Sequence, residues 1–307
     1  MTPTSATPNL ESGISLLGLG AMGGVLAQRM LDVGHPITVW NRTAGRADAL
    51  VAAGAARADT VAEAVLANPV VITCLFRYAS VRETLDPVAQ QLRGRTLIDL
   101  TTTTPDEARE LGVWADANGI SYLNGAIMVP PQLIGEPGAQ ILYSGSRAVY
   151  DGAAEGLSMW AAGTYDGPDP GAASLFDLAM LSAMYQMFAG LFHGAAMAGA
   201  QGMSATEFAS RAIPFLEPLI AHFAVDAAII DGGDYSVPGQ QSLDFSDLSD
   251  IIAASDGVGV DSSTIGAVQR LIRRQADAGF GAEGFARIHE SLRRPAGAHG
   301  RDAEAVA

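Results

Sequence analysis

Residues 13–23 read Gly-Ile-Ser-Leu-Leu-Gly-Leu-Gly-Ala-Met-Gly, a short apolar run ending in Gly18-Leu19-Gly20-Ala21-Met22-Gly23. The run 13–19 has the length and content of a buried strand, and Met22–Leu31 has the content of a helix. A G-x-G-x-x-G that follows a strand and opens a helix is the fingerprint of a dinucleotide-binding turn. Gly18 permits the tight turn, Gly20 lets backbone approach a pyrophosphate, and Gly23 lets helix pack closely on strand. Leu19, Ala21 and Met22 complete the turn, and the free N–H groups of the helix start face the anion. Without a ligand the same residues would be a glycine-rich turn and no more.

Outward from this turn, strand-like runs recur at Pro36–Trp40, Val70–Leu75, Thr96–Leu100, Ile120–Leu123 and Ala139–Ser144. Helix-like runs separate them at Ala44–Ala53, Thr60–Ala67, Ser80–Leu92 and Pro105–Asn118. Such alternation predicts an α/β Rossmann domain with a parallel, doubly wound sheet over residues 13–165. The stretch Gly163–Gly171, with three glycines and two prolines, breaks the pattern and reads as the domain boundary.

Beyond it the signal is helical only. Ala172–Ala200 is apolar nearly all round, and at about 1.5 Å per residue it is roughly 43 Å long. It predicts an inter-domain helix over 166–200, followed by an all-α domain over 201–294. The later helices are expected at Ser204–Asp226, interrupted at Pro214, and at Ser246–Ala254, Ser262–Ala278 and Ala282–Arg293. A helix apolar on every face must be buried. Its length alone would let it cross a membrane. The absence of closely flanking arginine and the presence of Asp177 argue instead for burial between domains or subunits, hence a dimer.

The 307 residues are 49% hydrophobic and 17% charged, which suits a globular protein of one large or two medium domains. A net charge of −15 repels phosphate backbones and excludes a nucleic-acid partner. The one cysteine, Cys74, lies in an apolar run; it rules out an intrachain disulfide, reads as a small core hydrophobe and fits a reducing cytoplasm. Residues 1–12 carry no basic segment followed by an apolar run and are expected to be a ragged tail, as are residues 295–307. No His/Cys/Asp/Glu cluster has metal-ligand spacing, so no metal is expected. No G-x-S-x-G or Cys/His arrangement suggests nucleophilic catalysis. All 18 basic residues are arginine; the chain has no lysine.

The end of the second strand selects the cofactor. An acidic residue there would bond the ribose hydroxyls and repel a 2′-phosphate. The chain reads Trp40-Asn41-Arg42-Thr43, with Arg46 a turn later. Asn41 can still bond a ribose, Arg42 and Thr43 offer a cation and a hydroxyl to a phosphate, and Arg46 adds a second charge. NADPH is the expected cofactor. Alternatively, Arg42 is a solvated surface arginine and Thr43 only a helix cap. Cys74 and Leu75, ending their strand, and Thr101 and Thr102, after the next one, are counted among the cofactor-contacting residues. Thr104-Pro105-Asp106-Glu107 fits a capping box.

Asp177 is the only acid in the long apolar helix, and such a charge is costly unless paired or protonated. That makes it a functional candidate. It lies too deep in the helix to be an ideal cap. Tyr185 follows about 12 Å along the helix at an offset of about 80°, so both can line one cleft; a core tyrosine is the alternative. His193 reads as a core or interface histidine.

GLGAMG, WNRT, the TTTTP loop and the long helix with its lone Asp resemble the imine reductases and reductive aminases of the β-hydroxyacid dehydrogenase superfamily. The resemblance runs from about residue 13 to residue 290 and includes DGGDY at Asp231–Tyr235; Leu175-Phe176-Asp177-Leu178-Ala179 and Tyr185 discriminate within the superfamily. It implies a domain-swapped homodimer with sites between the Rossmann domain of one chain and the helical domain of the other, where the partner's Ser242–Phe245 region is a candidate contributor. It also implies NADPH-dependent hydride transfer to a C=N bond, of a preformed imine or of one formed from amine and carbonyl. Asp177 would act at the nitrogen and Tyr185 would hold substrate. The site should otherwise be apolar, with Met128, Met180 and Met184 in its wall. Reductive aminases carry Asn where this chain has Thr102, which favours preformed imines. Hydroxyacid dehydrogenases have a small polar turn where this chain reads AIMVPP at 126–131, and they use a lysine this chain lacks. An alcohol dehydrogenase using Asp177 or Tyr185 and a non-catalytic NADPH-binding protein remain the alternatives.

Overall fold

The computed structural model describes Leu10 and residues 13–293. The tails expected at 1–12 and 295–307 therefore lie outside the described residues, except that Leu10 is not loose: it is buried against the first core. The chain divides into two compact units after Ser182.

The first unit is an eight-stranded sheet in the order β3-β2-β1-β4-β5-β6-β7-β8. Its strands are β1 (Ile14–Leu17), β2 (Ile37–Trp40), β3 (Ala56–Arg57), β4 (Val70–Thr73), β5 (Thr96–Asp99), β6 (Ser121–Ile127), β7 (Gln140–Gly145) and β8 (Ala162–Tyr165). Around them lie α1 (Ala21–Asp32), α2 (Asp48–Ala52), α3 (Val61–Ala67), α4 (Tyr78–Leu85), α5 (Ala89–Leu92), α6 (Pro105–Asn118) and α7 (Arg147–Leu157). Strands β1, β4 and β5 are buried along their whole length, which is why each reads as a continuous apolar run rather than an alternation. One core packs α1 and Trp160 against the sheet; the other packs α3, α4 and α6 against its opposite face through Val65, Val71, Leu85 and Leu111. The buried Trp160 indole N–H donates to the Leu26 carbonyl at 3.0 Å.

The sheet corrects three expectations. It is not wholly parallel: β6 and β7 pair antiparallel. Only a short 3-10 turn, Pro131–Leu133, intervenes between them, and a parallel pairing needs a longer crossover. The edge strands β3 and β8 carried no signal, because exposed edge residues need not be apolar. Strand β8 begins ahead of the Gly163–Gly171 stretch read as a boundary and extends into it, so Tyr165 still belongs to the sheet. Residues Ala44–Ala47 form a 3-10 turn ahead of α2. The capping box at α6 is present, with Glu107 N–H donating to Thr104 Oγ1 and Thr104 N–H to Glu107 Oε2.

Helix α8 (Gly171–Gly199) matches the predicted long helix, and its residues up to Ser182, about three turns, belong to the first unit. The second unit holds the rest of α8 with α9 (Ala205–Gly232), α10 (Ser249–Gly257), α11 (Ser263–Gln275) and α12 (Ile288–Leu292). Helix α9 runs on past Pro214 and Pro218 instead of stopping, and ends at Gly233 in the left-handed conformation. After α11 the chain passes into a wider π turn, Ala276–Phe280, so the single helix expected over 262–278 is shorter. The segment read as helix over 282–293 forms a 3-10 turn and the short α12. Among the described residues, Ala212, Ile229, Tyr235, Leu243 and Ile272 are the buried hydrophobic residues of this unit. Of α8, only Gly171, Ala173, Ser174 and Asp177 are buried within the single chain; Phe188 and Phe192 of α8, and Phe215 and Phe223 of α9, are exposed.

Candidate functional site

The strand order reverses between β1 and β4, the place where open α/β sheets bind ligands beyond their carboxyl ends. A groove of about 460 Å³ opens there. Its floor is the Gly18–Gly23 turn, and each glycine has its own steric reason. Gly18 has φ +104°, and a Cβ there would meet the Cys74 carbonyl at 2.3 Å. At Gly23 a Cβ would meet the Gly18 carbonyl at 2.0 Å, so a methyl would force α1 off β1. At Gly20 a Cβ would meet nothing within 4 Å, so this position faces open groove. Gly20 is also the N-cap of α1 and supplies no side-chain bond, which leaves the first-turn N–H groups directed at the groove.

Trp40, Asn41, Arg42, Thr43 and Arg46 form one wall. Asn41 is a strut rather than a free ligand group: its Oδ1 accepts from Leu19 N–H at 2.9 Å and its Nδ2 donates to the Thr43 carbonyl at 3.0 Å. Leu19 is buried, and only its backbone reaches the turn. Arg46 leans back onto the turn, 3.5 Å from the Leu19 carbonyl. Thr43 stands at the start of the 3-10 turn but makes no capping bond. Arg42 is exposed, and among the described residues it has no ion pair or hydrogen bond. An unpaired guanidinium beside a free hydroxyl, on a groove floored by helix N–H groups, suits a phosphate.

The opposite wall is Cys74, Leu75 and Phe76 together with Ser80, Glu83 and Thr84 of α4. The three α4 residues were not singled out from sequence; polar positions on an amphipathic helix look like any solvated face until the fold aims them. Cys74 is half-buried and packs against the first core, and burial with Asp99 nearby pushes its thiol up to about 12, which favours the neutral form.

Thr101 and Thr102 part company. Thr101 is buried, and its hydroxyl accepts the Leu75 N–H at 3.0 Å, so it braces the wall instead of offering itself to a ligand. Thr102 is exposed. Behind them lies a residue overlooked in the sequence, Asp99, wholly buried at the end of β5. Its aspartate identity was hidden inside an apolar strand. Burial raises its pKa to about 6, against the lowering effect of bonds from Thr73 and Thr101.

Asp177 is placed by a buried polar dock at the start of α8. Asn124 Nδ2 donates to Ser174 Oγ at 2.9 Å and to the Pro170 carbonyl at 3.0 Å. Ser144 Oγ donates to the Pro170 carbonyl at 2.8 Å and accepts from Ala173 N–H at 3.0 Å. Thr103 and Ser174 hydroxyls lie 3.2 Å apart. One turn on, Asp177 is 4% exposed, and among the described residues no hydrogen bond or ion pair reaches its carboxylate. Burial raises its pKa above the usual carboxylate range. Met128 packs on Ala126, Leu142 and Ala173 at the end of β6. Met180 is exposed, Met184 is half-buried, and Tyr185 is 66% exposed; Met184 and Tyr185 belong to the second unit. There, too, His193 Nε2 lies 3.1 Å from Ser255 Oγ. Among the described residues no cluster has the makings of a metal site.

Residues 169–294 match the C-terminal domain of the NADPH-dependent reductive aminase-like family, and residues 13–167 match the NAD-binding domain of 6-phosphogluconate dehydrogenase. An NADPH-dependent reductive aminase from Aspergillus oryzae is 36% identical over 287 residues, which is 92% of this chain and 97% of that protein. This chain belongs to the reductive aminase and imine reductase family. A solved reductive aminase from Aspergillus terreus, in complex with NADPH and ethyl-5-oxohexanoate, superposes with a TM-score of 0.88 at 38% identity, covering 92% of this chain and 99% of that one. An imine reductase from Myxococcus stipitatus in complex with NADP+ superposes at 0.87 with 30% identity, covering 93% and 100%. The fold expected from the glycine turn and the long helix is thus that of the family.

The glycines separate fold from ligand. Gly20→Ala should cost less than about 1 kcal/mol of stability, since φ is −71°, the space is open and only glycine's N-cap preference is lost, yet it should weaken dinucleotide binding by tenfold or more. Gly18→Ala should destabilise the fold itself by about 1–3 kcal/mol, read by denaturant titration.

Proposed function

We propose that this protein is an NADPH-dependent imine reductase that delivers hydride to a C=N bond. The observation that carries the reading is a buried carboxyl without a partner, Asp177, on the long helix of a family member whose dinucleotide groove is intact. The groove fits the cofactor: open space at Gly20, uncapped N–H groups at α1, and unpaired Arg42 for a 2′-phosphate. The cofactor, when bound, supplies the hydride. The reaction also consumes one proton at nitrogen, and the protein must provide for it.

Asp177 does so by its environment. Removed from water and without a cation, its carboxyl holds its proton to higher pH than a surface carboxyl. It can hydrogen-bond an imine nitrogen as an acid, or stabilise an iminium once the proton has moved. Either form raises the electrophilicity of the carbon. Met128 gives an apolar neighbour suited to an amine framework. Tyr185, which holds substrate in this reading, and Met180 and Met184 complete the assignment. Thr102 in place of the Asn of reductive aminases favours preformed imines over condensation of amine with ketone. A lysine-dependent hydroxyacid oxidation has no residue to run on, because the chain has no lysine. The single cysteine supports a reducing, cytoplasmic setting.

The working unit is proposed to be a domain-swapped homodimer. Helices α8 and α9 are each long and apolar enough to span a bilayer, and both are largely exposed in the single chain. Glu217 at the middle of α9, with His222 and Asp226 after it, argues against lipid as the cover. A second copy supplies an apolar cover and leaves those groups at a wet rim.

The deciding assay follows NADPH oxidation with 2-methyl-1-pyrroline, with NADH and a 3-hydroxy acid alongside. Imine-dependent oxidation of NADPH is expected; turnover of the hydroxy acid with silence on imines would sink the reading. Asp177→Ala should lower kcat about 100-fold with NADPH affinity unchanged. In the wild type, kcat should fall as pH rises through the elevated Asp177 pKa; unchanged turnover in the variant removes Asp177 from the mechanism. Arg42→Ala should weaken NADPH about tenfold and leave NADH unaffected, since only the 2′-phosphate is lost. Sedimentation should give twice the 31.7 kDa chain mass, and Phe192→Glu should shift it toward the monomer.

A further inference from the structure

Two strands already joined by their backbone ladder do not need a buried carboxylate between them. Strands β4 and β5 pair from Val70↔Thr96 to Thr73↔Asp99. At the last rung Asp99, fully buried, accepts from Thr73 Oγ1 at 2.7 Å. The same oxygen, Oδ1, accepts the Thr101 N–H at 3.0 Å, and Thr101 Oγ1 in turn accepts the Leu75 N–H at 3.0 Å. The chain of bonds thus runs past the ends of both strands and binds the loop after β5 to the loop after β4. Among the described residues, Asp99 Oδ2 has no partner at all, and no cation stands near either oxygen. A carboxyl kept there at such cost is better explained by what it shapes than by what it stabilises.

What it shapes is the Cys74–Leu75–Phe76 wall of the dinucleotide groove. Arg42 and Thr43 mark the adenosine side at β2, and a dinucleotide crosses the sheet at the switch between β1 and β4. Its nicotinamide half must therefore lie over the ends of β4 and β5. We propose that Asp99 is a positioning residue for the nicotinamide half of the cofactor, acting through Thr101 and Leu75 to hold the wall against which that half rests. It touches neither cofactor nor substrate. The inference rests on the cofactor orientation of the preceding subsection.

The experiment measures binding of two ligands by calorimetry: NADPH, and 2′-phospho-ADP-ribose, which lacks the nicotinamide. Wild type, D99A, D99N and T101V are compared. In D99A and T101V, NADPH affinity should drop about tenfold while affinity for the fragment stays within twofold. D99N keeps an oxygen to accept from Thr73 and Thr101 and should stay within threefold of wild type for both ligands. Equal losses for both ligands in D99A and T101V would overturn the proposal, because general damage to the fold spares neither. So would unchanged NADPH affinity in both. Should D99A fail to fold, T101V, which exchanges a hydroxyl for a methyl of the same size, carries the comparison alone. A wild type that binds NADPH no tighter than the fragment would also overturn the proposal, because a nicotinamide half that gains nothing from the wall has no positioning to lose. Imine turnover is not read at all, so the outcome is independent of the substrate.

Discussion

The fit of Gly23 against the Gly18 carbonyl is the contact on which the rest depends. With no side chain between them, the first turn of α1 sits directly on the end of β1, and Gly18 in turn sits on the Cys74 carbonyl at the end of β4. Two close approaches thus bring β1, α1 and β4 to one point at the switch in strand order. The groove, the aim of the α1 N–H groups and the position of the Cys74–Phe76 wall all follow from it. Interiors pack too densely for a methyl group at either place to be absorbed without moving an element.

The same elements show what the sequence could and could not convey. Where a segment is buried on every side, its composition alone announces it: β1, β4 and β5 were legible within a residue or two at their ends. The 29 residues of α8 were legible from an unbroken apolar composition, although only four of them are buried in the single chain. The capping box of α6 was legible because it is a local bond between residues three apart. Pairing direction was not, since β6 and β7 differ from their neighbours only in the length of what joins them. The short edge strands β3 and β8 make few demands on their side chains. Pro214 and Pro218 break no helix, because local sequence registers the missing N–H but not the rest of the helix that holds its course.

The site divides along the same line. Glycines, Arg42 and Asp177 were visible because each is chemically out of place in its segment. Asn41 and Thr101 were visible too, but their side chains turn inward, Asn41 to the glycine turn and Thr101 to Leu75. Only the tertiary bond tells a ligand group from a brace. Asp99 went unnoticed for the opposite reason, being one polar letter in an apolar strand. Asp99 and Asp177 share a thermodynamic character: burial raises both above the ordinary carboxyl range. A native state that binds protons more tightly than the unfolded chain grows less stable as pH rises through that interval. Both residues therefore burden the fold at neutral pH, the usual mark of side chains retained for work rather than cohesion.

One feature of α1 reaches beyond catalysis. Its N-cap is a glycine that contributes no side-chain bond, so the first turn of a helix packed on the sheet lacks the side-chain acceptor that Ser or Asp would supply, a difference of a few tenths of a kcal/mol. A bound dinucleotide would set its phosphates against those N–H groups. It would then be a detachable part of the helix as well as a reagent, holding the junction of β1, α1 and β4 while bound. By mass action, a cofactor held at about a hundred times its Kd protects that junction by about 2.7 kcal/mol. Shelf life and heat tolerance of this protein are then properties of the solution as much as of the chain.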